Sequence, residues 1–539
     1  MILQNFPIFL VAIGPLVAAA SGCSERNSSS PVKTTSGRFL PYFSSEHPEV
    51  ASFLDIPFAE SPLGPLRFAP PVPRIENSTE AVLATQLPPG CFQYVVPMLE
   101  GTVGFSGNQP LAFQRGDYRN TSEDCLRLSV FAPKHVGESQ VRSQDTSKSK
   151  GLPVLIWVHG GGYSIGGNNI PYQLAPSWVS RSQSHIVVQV QYRLNLLGFP
   201  NAAGIEQEGR NLNLGLLDQR LAVEWVRDNI GRFGGDPSRI TLWGQSAGAY
   251  ATDSYLFAWA KDPIVSGVIA SSGNAVTVPL YNVDHTNNAV FSLAAKSLGC
   301  GNLAPADELA CMRKVPSTDI QQYLQAAVGK GGAVDDGLVF GTVADNVTIF
   351  PDYKSLIQRE SSRFPSNIPV MVGTTTDEGT AVIPFNFNGS EAATQIPADY
   401  APIAEGFRIN LHCTTLQEAQ LRVVAGGKTF QYMYGGNFSD ISPRPWLGAF
   451  HGSELPLVFG TYGTEGPATD LEKETSQRMQ DLFLAFMSNP NKGPVDLGWP
   501  EVSGTTGYDI LKWGTDGKVE QVVSVNELRE ECLKAGWDV

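Results

Sequence analysis

Apolar residues along this chain follow two different periods. Short runs rich in β-branched residues read as buried strands: LRLSVFAP (126–133), LPVLIWVHG (152–160), IVVQVQYRL (186–194), VSGVIASSG (265–273) and IPVMVGTTT (368–376). Between them, LLDQRLAVEWVRDNIGRF (216–233) spaces its apolar residues along one helical face and stops at Gly234-Gly235. RITLWGQSAGAYATDSYLFAW (239–259) reads as strand, tight turn and helix in succession, and FRINLHCTTLQEAQL (407–421) has a helical pattern. Strands alternating with helices predict an α/β fold built on a mainly parallel, doubly wound sheet with helices on both faces. The polar stretch ESQVRSQDTSKSKG (138–151) is an exposed loop between two strands, too short to link domains, and no repeat of 20–50 residues is present. One domain with loop insertions, over residues 21–539, is the economical expectation.

Composition narrows the class. Of 539 residues 42% are hydrophobic and only 17% charged, against a usual charged share of about 25%, so a disordered polyelectrolyte is excluded. Lys plus Arg total 38 and Asp plus Glu 52, a formal net charge of −14 with no offsetting basic run. A polyphosphate meets net repulsion, which excludes nucleic acid as a partner.

Residues 1–20, MILQNFPIFLVAIGPLVAAA, carry no charged side chain, and Ala18 and Ala20 fit an A-x-A cleavage site. This predicts a secretory leader cut at about residues 20–22, although no Lys or Arg stands near its start. The alternative is a membrane anchor, but Pro7, Gly14 and Pro15 interrupt a run that barely reaches the ~20 residues needed to span a bilayer. No stable membrane anchor is expected. Six N-x-S/T sequons, at Asn27, Asn77, Asn120, Asn346, Asn388 and Asn437, sit among turn-type residues and agree with a secretory route. So does the cysteine count. Cys23 lies at the processing boundary, and the other six could pair in 15 ways. Nearest neighbours in sequence suggest Cys91 with Cys125 and Cys300 with Cys311, leaving Cys413 with Cys532; free buried thiols would suit a cytosolic chain better.

The chemistry centres on Gly244-Gln245-Ser246-Ala247-Gly248, which is G-x-S-x-G directly between a strand and a helix. A serine on so sharp a turn needs a strained backbone, and side chains at the flanking positions would collide with neighbours. The competing reading is a serine that merely caps the helix. His159-Gly160-Gly161-Gly162-Tyr163 follows the strand VLIWV, and its glycines leave backbone N–H groups bare for a developing oxyanion. A base is found by elimination, because in α/β-hydrolases the order is serine, acid, histidine. His47, His135, His159 and His185 precede Ser246, leaving His285, His412 and His451. An acid follows the strand IPVMVGTTT in Asp377-Glu378-Gly379, which leaves His412 or His451 downstream. His412 lies in a helical pattern beside a cysteine, as a structural histidine would. His451 opens HGSELPLVFG on a loop, as a base should.

EDCLRLSVFAP (123–133), HGGGY, NLGLLDQRLAVEWVRDNIGRFGGDPSRITLWGQSAGA (213–249), TDEG and FHGSEL together resemble the type-B carboxylesterase/lipase family, which includes fungal secreted lipases and esterases and the cholinesterases. DIPFAESPLGPLRFAPP (55–71) is similar to its amino-terminal signature, and the likeness runs from about residue 35 to the C-terminus. The resemblance implies an α/β-hydrolase fold and a carboxylic ester hydrolase. It implies Ser246 as nucleophile, Glu378 as acid and His451 as base, with the N–H groups of Gly161, Gly162 and Ala247 as oxyanion hole. It also supports the three cysteine pairings and implies two structural ion pairs, Arg67 with Glu123 and Arg193 with Asp218. No metal or organic cofactor is required.

The expected partner is a small-molecule or lipid ester; no oligomeric state is assigned. VVPMLEGTVGF (95–105), between Cys91 and Cys125, is apolar enough for a lid or acyl-binding wall, or for a loop packed permanently shut. The segment lacks Trp and the residue before the nucleophile is the neutral Gln245, so neutral acyl esters are expected over choline esters. A lipase, a pathway-specific esterase or transesterase on a secondary metabolite, and a binding module that has lost catalysis are the alternatives. The last would show a broken triad, and all its residues are present here.

Overall fold

The computed structural model describes residues 30–94, 102–103, 120–136, 151–209, 211–276, 288–326, 340–359, 364, 366–381, 385–386, 394–463 and 466–539. Ten strands form its main sheet. In chain order they are β1 (Val50–Pro57), β2 (Arg127–Pro133), β3 (Leu152–Val158), β4 (Ile186–Val190), β5 (Gly235–Gln245), β6 (Gly267–Ser271), β7 (Val370–Thr375), β8 (Thr429–Tyr434), β9 (Asp509–Trp513) and β10 (Glu520–Ser524). Across the sheet the order is β10-β9-β8-β7-β6-β5-β3-β4-β2-β1. The run from β4 to β9 is parallel throughout, and the antiparallel pairs lie towards the two edges. A parallel sheet must be covered on both faces. That is why IVVQV, GVIAS and VMVGTT are buried at every position, while the edge strand β10 alternates between half-buried and exposed.

The two faces are read directly from the strand period of two. On β3, Val154, Ile156 and Val158 point to the side that holds helices α1 (Leu214–Asn229), α2 (Ala247–Ala258) and α3 (Ala401–Val424). Leu155 and Trp157 point to the opposite side, against α4 (Asp470–Ser488) and the short helix Leu455–Phe459. There Trp157, Trp243, Phe459 and Phe483 pack with ring centroids 4.5–5.1 Å apart, each such pair adding about 0.5–1.5 kcal/mol beyond area burial. α1 stops as expected: a 3-10 turn over Ile230–Phe233 ends on left-handed Gly234 at φ 88°. The expected α/β-hydrolase sheet is therefore the one observed.

All three disulfides form: Cys91–Cys125, Cys300–Cys311 and Cys413–Cys532. Both ion pairs do as well. Arg67 grips Glu123 with an Nη2–Oε2 contact of 2.7 Å, and Arg193 holds Asp218 bidentately at 2.7 and 2.8 Å. A third buried cluster carries no local signature in the sequence: Arg422 bridges Asp253 of α2 and Glu418 of α3 while lying against the rings of Phe257 and Phe364. Asn77, Asn120, Asn346 and Asn437 are exposed; Asn27, Asn388, Cys23 and residues 1–20, expected to be a leader, lie outside the described residues. Among the described residues no helix is long and apolar enough to cross a membrane.

Candidate active site

Four loops leave the carboxyl ends of the parallel strands β3, β5, β7 and β8, where α/β sheets place their ligands. The first turn, from β5 into α2, holds Ser246 at φ 58° and ψ −126°, a conformation that costs a non-glycine residue of order 1–3 kcal/mol. It is fixed from both sides: the Ser246 N–H donates to the Ser271 carbonyl at 2.9 Å, and the Tyr250 N–H donates to the Ser246 carbonyl at 3.0 Å. The flanking glycines are steric necessities. A Cβ on Gly248 would stand 2.3 Å from the Val158 carbonyl oxygen of β3, and one on Gly244 would stand 2.2 Å from the Gly248 backbone. The Ser246 side chain makes no capping bond to α2, so the helix-cap reading fails.

The glycine loop after β3 lies against this turn. A Cβ on Gly160 would come within 2.9 Å of the Ser246 Cβ, and Gly161 and Gly162 take φ of 110° and 62°. Among the described residues neither the Gly161 nor the Gly162 N–H has a hydrogen-bond acceptor. His159 holds the loop's root: its Nδ1–H donates to the Gly160 carbonyl at 2.8 Å and its ring stacks on Tyr192 at 4.4 Å. Burial drives the His159 pKa down to about 4, against the raising effect of that bond, so the ring is neutral. Beyond the glycines, Gln93 exchanges hydrogen bonds of 2.9 and 3.0 Å with Gly166, tying the loop to the segment after Cys91.

Glu378 follows β7 by three residues and His451 lies in the loop after β8. An isolated parallel bridge between Asp377 and Phe450 holds the two loops together. His451 Nδ1–H donates to Glu378 Oε2 at 2.5 Å. The other carboxylate oxygen accepts the Ser272 hydroxyl at 2.7 Å and the Thr375 N–H at 2.8 Å. Burial alone would raise the Glu378 pKa; the His451 ring and these donors outweigh it and hold the carboxyl below its ordinary value. Exposure falls from 6% at Ser246 through 2% at His451 to zero at Glu378, so the serine is outermost. His412 is elsewhere: its Nε2–H donates to the Thr375 carbonyl at 2.7 Å, from the far side of the acid's loop. It is a structural histidine, as its helical setting predicted.

Several contributors escaped the sequence reading. Ser272 has φ 56° and directly follows β6, but no motif marks it. Asp377 works on the backbone: its Oδ2 accepts the Ala449 N–H at 3.0 Å, and a Cβ on Gly448 would fall 2.2 Å from that oxygen. Phe407, on α3, sets its ring perpendicular to the His451 ring with centroids 5.5 Å apart. The apolar segment 95–105, read as a lid or wall, lies outside the described residues except for 102–103, which pair antiparallel with 385–386. His285 also lies outside them.

A sheet of this order, a strained serine between strand and helix, and a buried carboxylate–imidazole pair define a serine hydrolase of the α/β type. The chain belongs to the carboxylesterase family, whose sequence profile matches residues 30–403 and 407–530, and it is a carboxylic ester hydrolase. Secreted lipase 5 of Gibberella zeae is 56% identical over 533 residues, covering 98% of this chain and 99% of that protein. Chlorogenic acid esterase of Aspergillus niger is 36% identical, covering 99% and 100%. Acetylcholinesterase of Bungarus fasciatus is 27% identical over 91% of this chain and 83% of that protein.

Proposed function

We propose that the chain is a secreted esterase or lipase that turns over neutral carboxylic esters through an acyl-enzyme on Ser246. The observation that carries this is the 2.5 Å bond from His451 Nδ1–H to a fully buried Glu378, which leaves Nε2 as the only imidazole nitrogen for acid–base work. His451 takes the Ser246 proton as the hydroxyl oxygen attacks the ester carbonyl carbon. The N–H groups of Gly161, Gly162 and Ala247 receive the oxyanion; each such donor is worth about 10²–10³ in rate. The imidazolium, steadied by Glu378, returns its proton to the alcohol oxygen as the C–O bond breaks. The ring then deprotonates a water that hydrolyses the acyl-enzyme. No step requires a metal or organic cofactor.

Secretion is supported by the likeness to the Gibberella protein, named a secreted lipase, by three disulfides and by the exposure of four sequons. In this reading residues 1–20 are removed and 21–539 form one catalytic domain. Ser246→Ala tests the chemistry. Turnover of a short-chain nitrophenyl ester should fall by roughly 10⁴-fold or more with secretion and melting behaviour intact; retained turnover would refute the assignment.

A further inference from the structure

Resting on that reading, we propose that Phe407 is a specificity-determining residue: its ring borders the place of the ester's alcohol group and favours apolar, flat alcohols. α3 changes character along its length. From Leu411 to Arg422 it is mostly buried in the core, whereas of residues 401–410 only Ala404 is buried. Ala404 is the pin. Its carbonyl lies where a Cβ on Gly379 would fall, at 1.8 Å, so the first turns of α3 sit directly over the Glu378–Gly379 turn. One turn on, Phe407 is half-buried, its ring on the imidazole of His451 at 5.5 Å and 87°. Next along the helix, a Cβ on Gly406 would meet no atom of the described residues within 4 Å. Ile403, one helical turn earlier on the same face, is 57% exposed.

Chemistry then says which half of the ester comes near that ring. Nδ1 of His451 is committed to Glu378, so Nε2 must hand its proton to the leaving alkoxy oxygen from hydrogen-bond distance, about 2.6–3.2 Å. The carbonyl oxygen is drawn instead towards the amides of the glycine loop. The substituent nearest the imidazole during C–O cleavage is therefore the alcohol, and among the described residues the aromatic side chain packed on that imidazole, itself half-buried, is Phe407. An offset or edge-on aromatic contact rewards a flat alcohol and gives little to a two-carbon one.

Benzyl butyrate and ethyl butyrate share an acyl group and release alcohols of similar basicity, so their ratio of kcat/KM isolates the alcohol contact. Phe407→Ala should lower the benzyl-to-ethyl ratio about tenfold, and Phe407→Tyr should preserve it. The ranking of ethyl acetate, butyrate and octanoate should not change. If Phe407→Ala does not fold, Phe407→Leu retains volume without the ring, and its ratio should still fall severalfold. Equal losses on both esters, or a reordered acyl series, would overturn the proposal while leaving the Ser246 mechanism standing. Absence of ethyl butyrate turnover by the wild-type enzyme would strike at the mechanism instead.

Discussion

Ser272 shows how much a single hydroxyl can set. It donates to the same Glu378 oxygen that receives the Thr375 N–H, leaving the second oxygen to His451. Hydrogen bonds to a charged group are worth about 1.5–3 kcal/mol, and this one favours the ionised carboxyl. In Ser272→Ala the Glu378 pKa therefore rises towards its ordinary value. A protonated Glu378 cannot steady the imidazolium, so the acid limb of the kcat/KM profile should move to higher pH while the neutral plateau changes little. A pH–rate series on both proteins checks this, and an unmoved limb contradicts it. At this scale the sequence was legible where residues are contiguous. G-x-S-x-G and HGGG carry their own geometry, because Gly160, Gly244 and Gly248 all stand where a Cβ would strike backbone. Ser272 was not legible, since what matters is its place beside Glu378, 106 residues further on.

At the scale of elements, the site is assembled by loops that brace one another. Asp377 and Glu378 are adjacent, and their motif left open which carboxylate serves the base. The turn after β7 sets them to opposite tasks: Asp377 binds the Ala449 amide and bridges to Phe450, while Glu378 faces the ring. Behind them α3 is fastened to the C-terminal helix Asn526–Lys534 by Cys413–Cys532, and the neighbouring His412 holds the Thr375 carbonyl. That crosslink closes a sequence separation of 119 residues, for which loop-closure entropy gives about 4–5 kcal/mol. Replacing both cysteines by Ser should lower the unfolding free energy by roughly that amount, measured by denaturant titration. A loss below about 1 kcal/mol would show that α3 is held by packing alone. The pairing was legible by neighbour order and family likeness. The dual role of α3, structural at its C-terminal half and bordering the site at its N-terminal half, was hidden because its helical pattern is continuous.

Across the whole molecule, buried carboxyls decide the response to pH. Burial, reinforced by Asp253 against the pull of Arg422, raises the Glu418 pKa to about 8; burial and nearby Glu378 do the same for Glu454; burial and Asp440 do so for Glu472. In the unfolded chain each loses its proton near the ordinary Glu value of about 4.3. Between there and about 8 the folded state binds more protons than the unfolded one, so these groups lower stability as pH rises. Glu378 works in the opposite sense: its stabilisation is present above the ordinary value and disappears only as pH falls through its lowered pKa. Over pH 5.5–8.5 the Glu378 contribution is constant, and the three raised carboxyls outweigh His159 and His185, whose lowered pKa values favour the fold as pH rises through the ordinary His value. The balance predicts a Tm higher at pH 5.5 than at pH 8.5, with Glu454→Gln flattening the slope. A Tm that climbs over that interval would contradict this balance. None of the three was legible in sequence, because each depends on burial and on partners brought from other elements.

The central claim is that Ser246 is the nucleophile, and trapping the adduct tests it most directly. After incubation with a fluorophosphonate, mass spectrometry of the digested protein should find one phosphonyl group, on the peptide containing Ser246, and none in Ser246→Ala. A stoichiometric adduct on any other serine, or labelling that persists in the variant, would contradict the account.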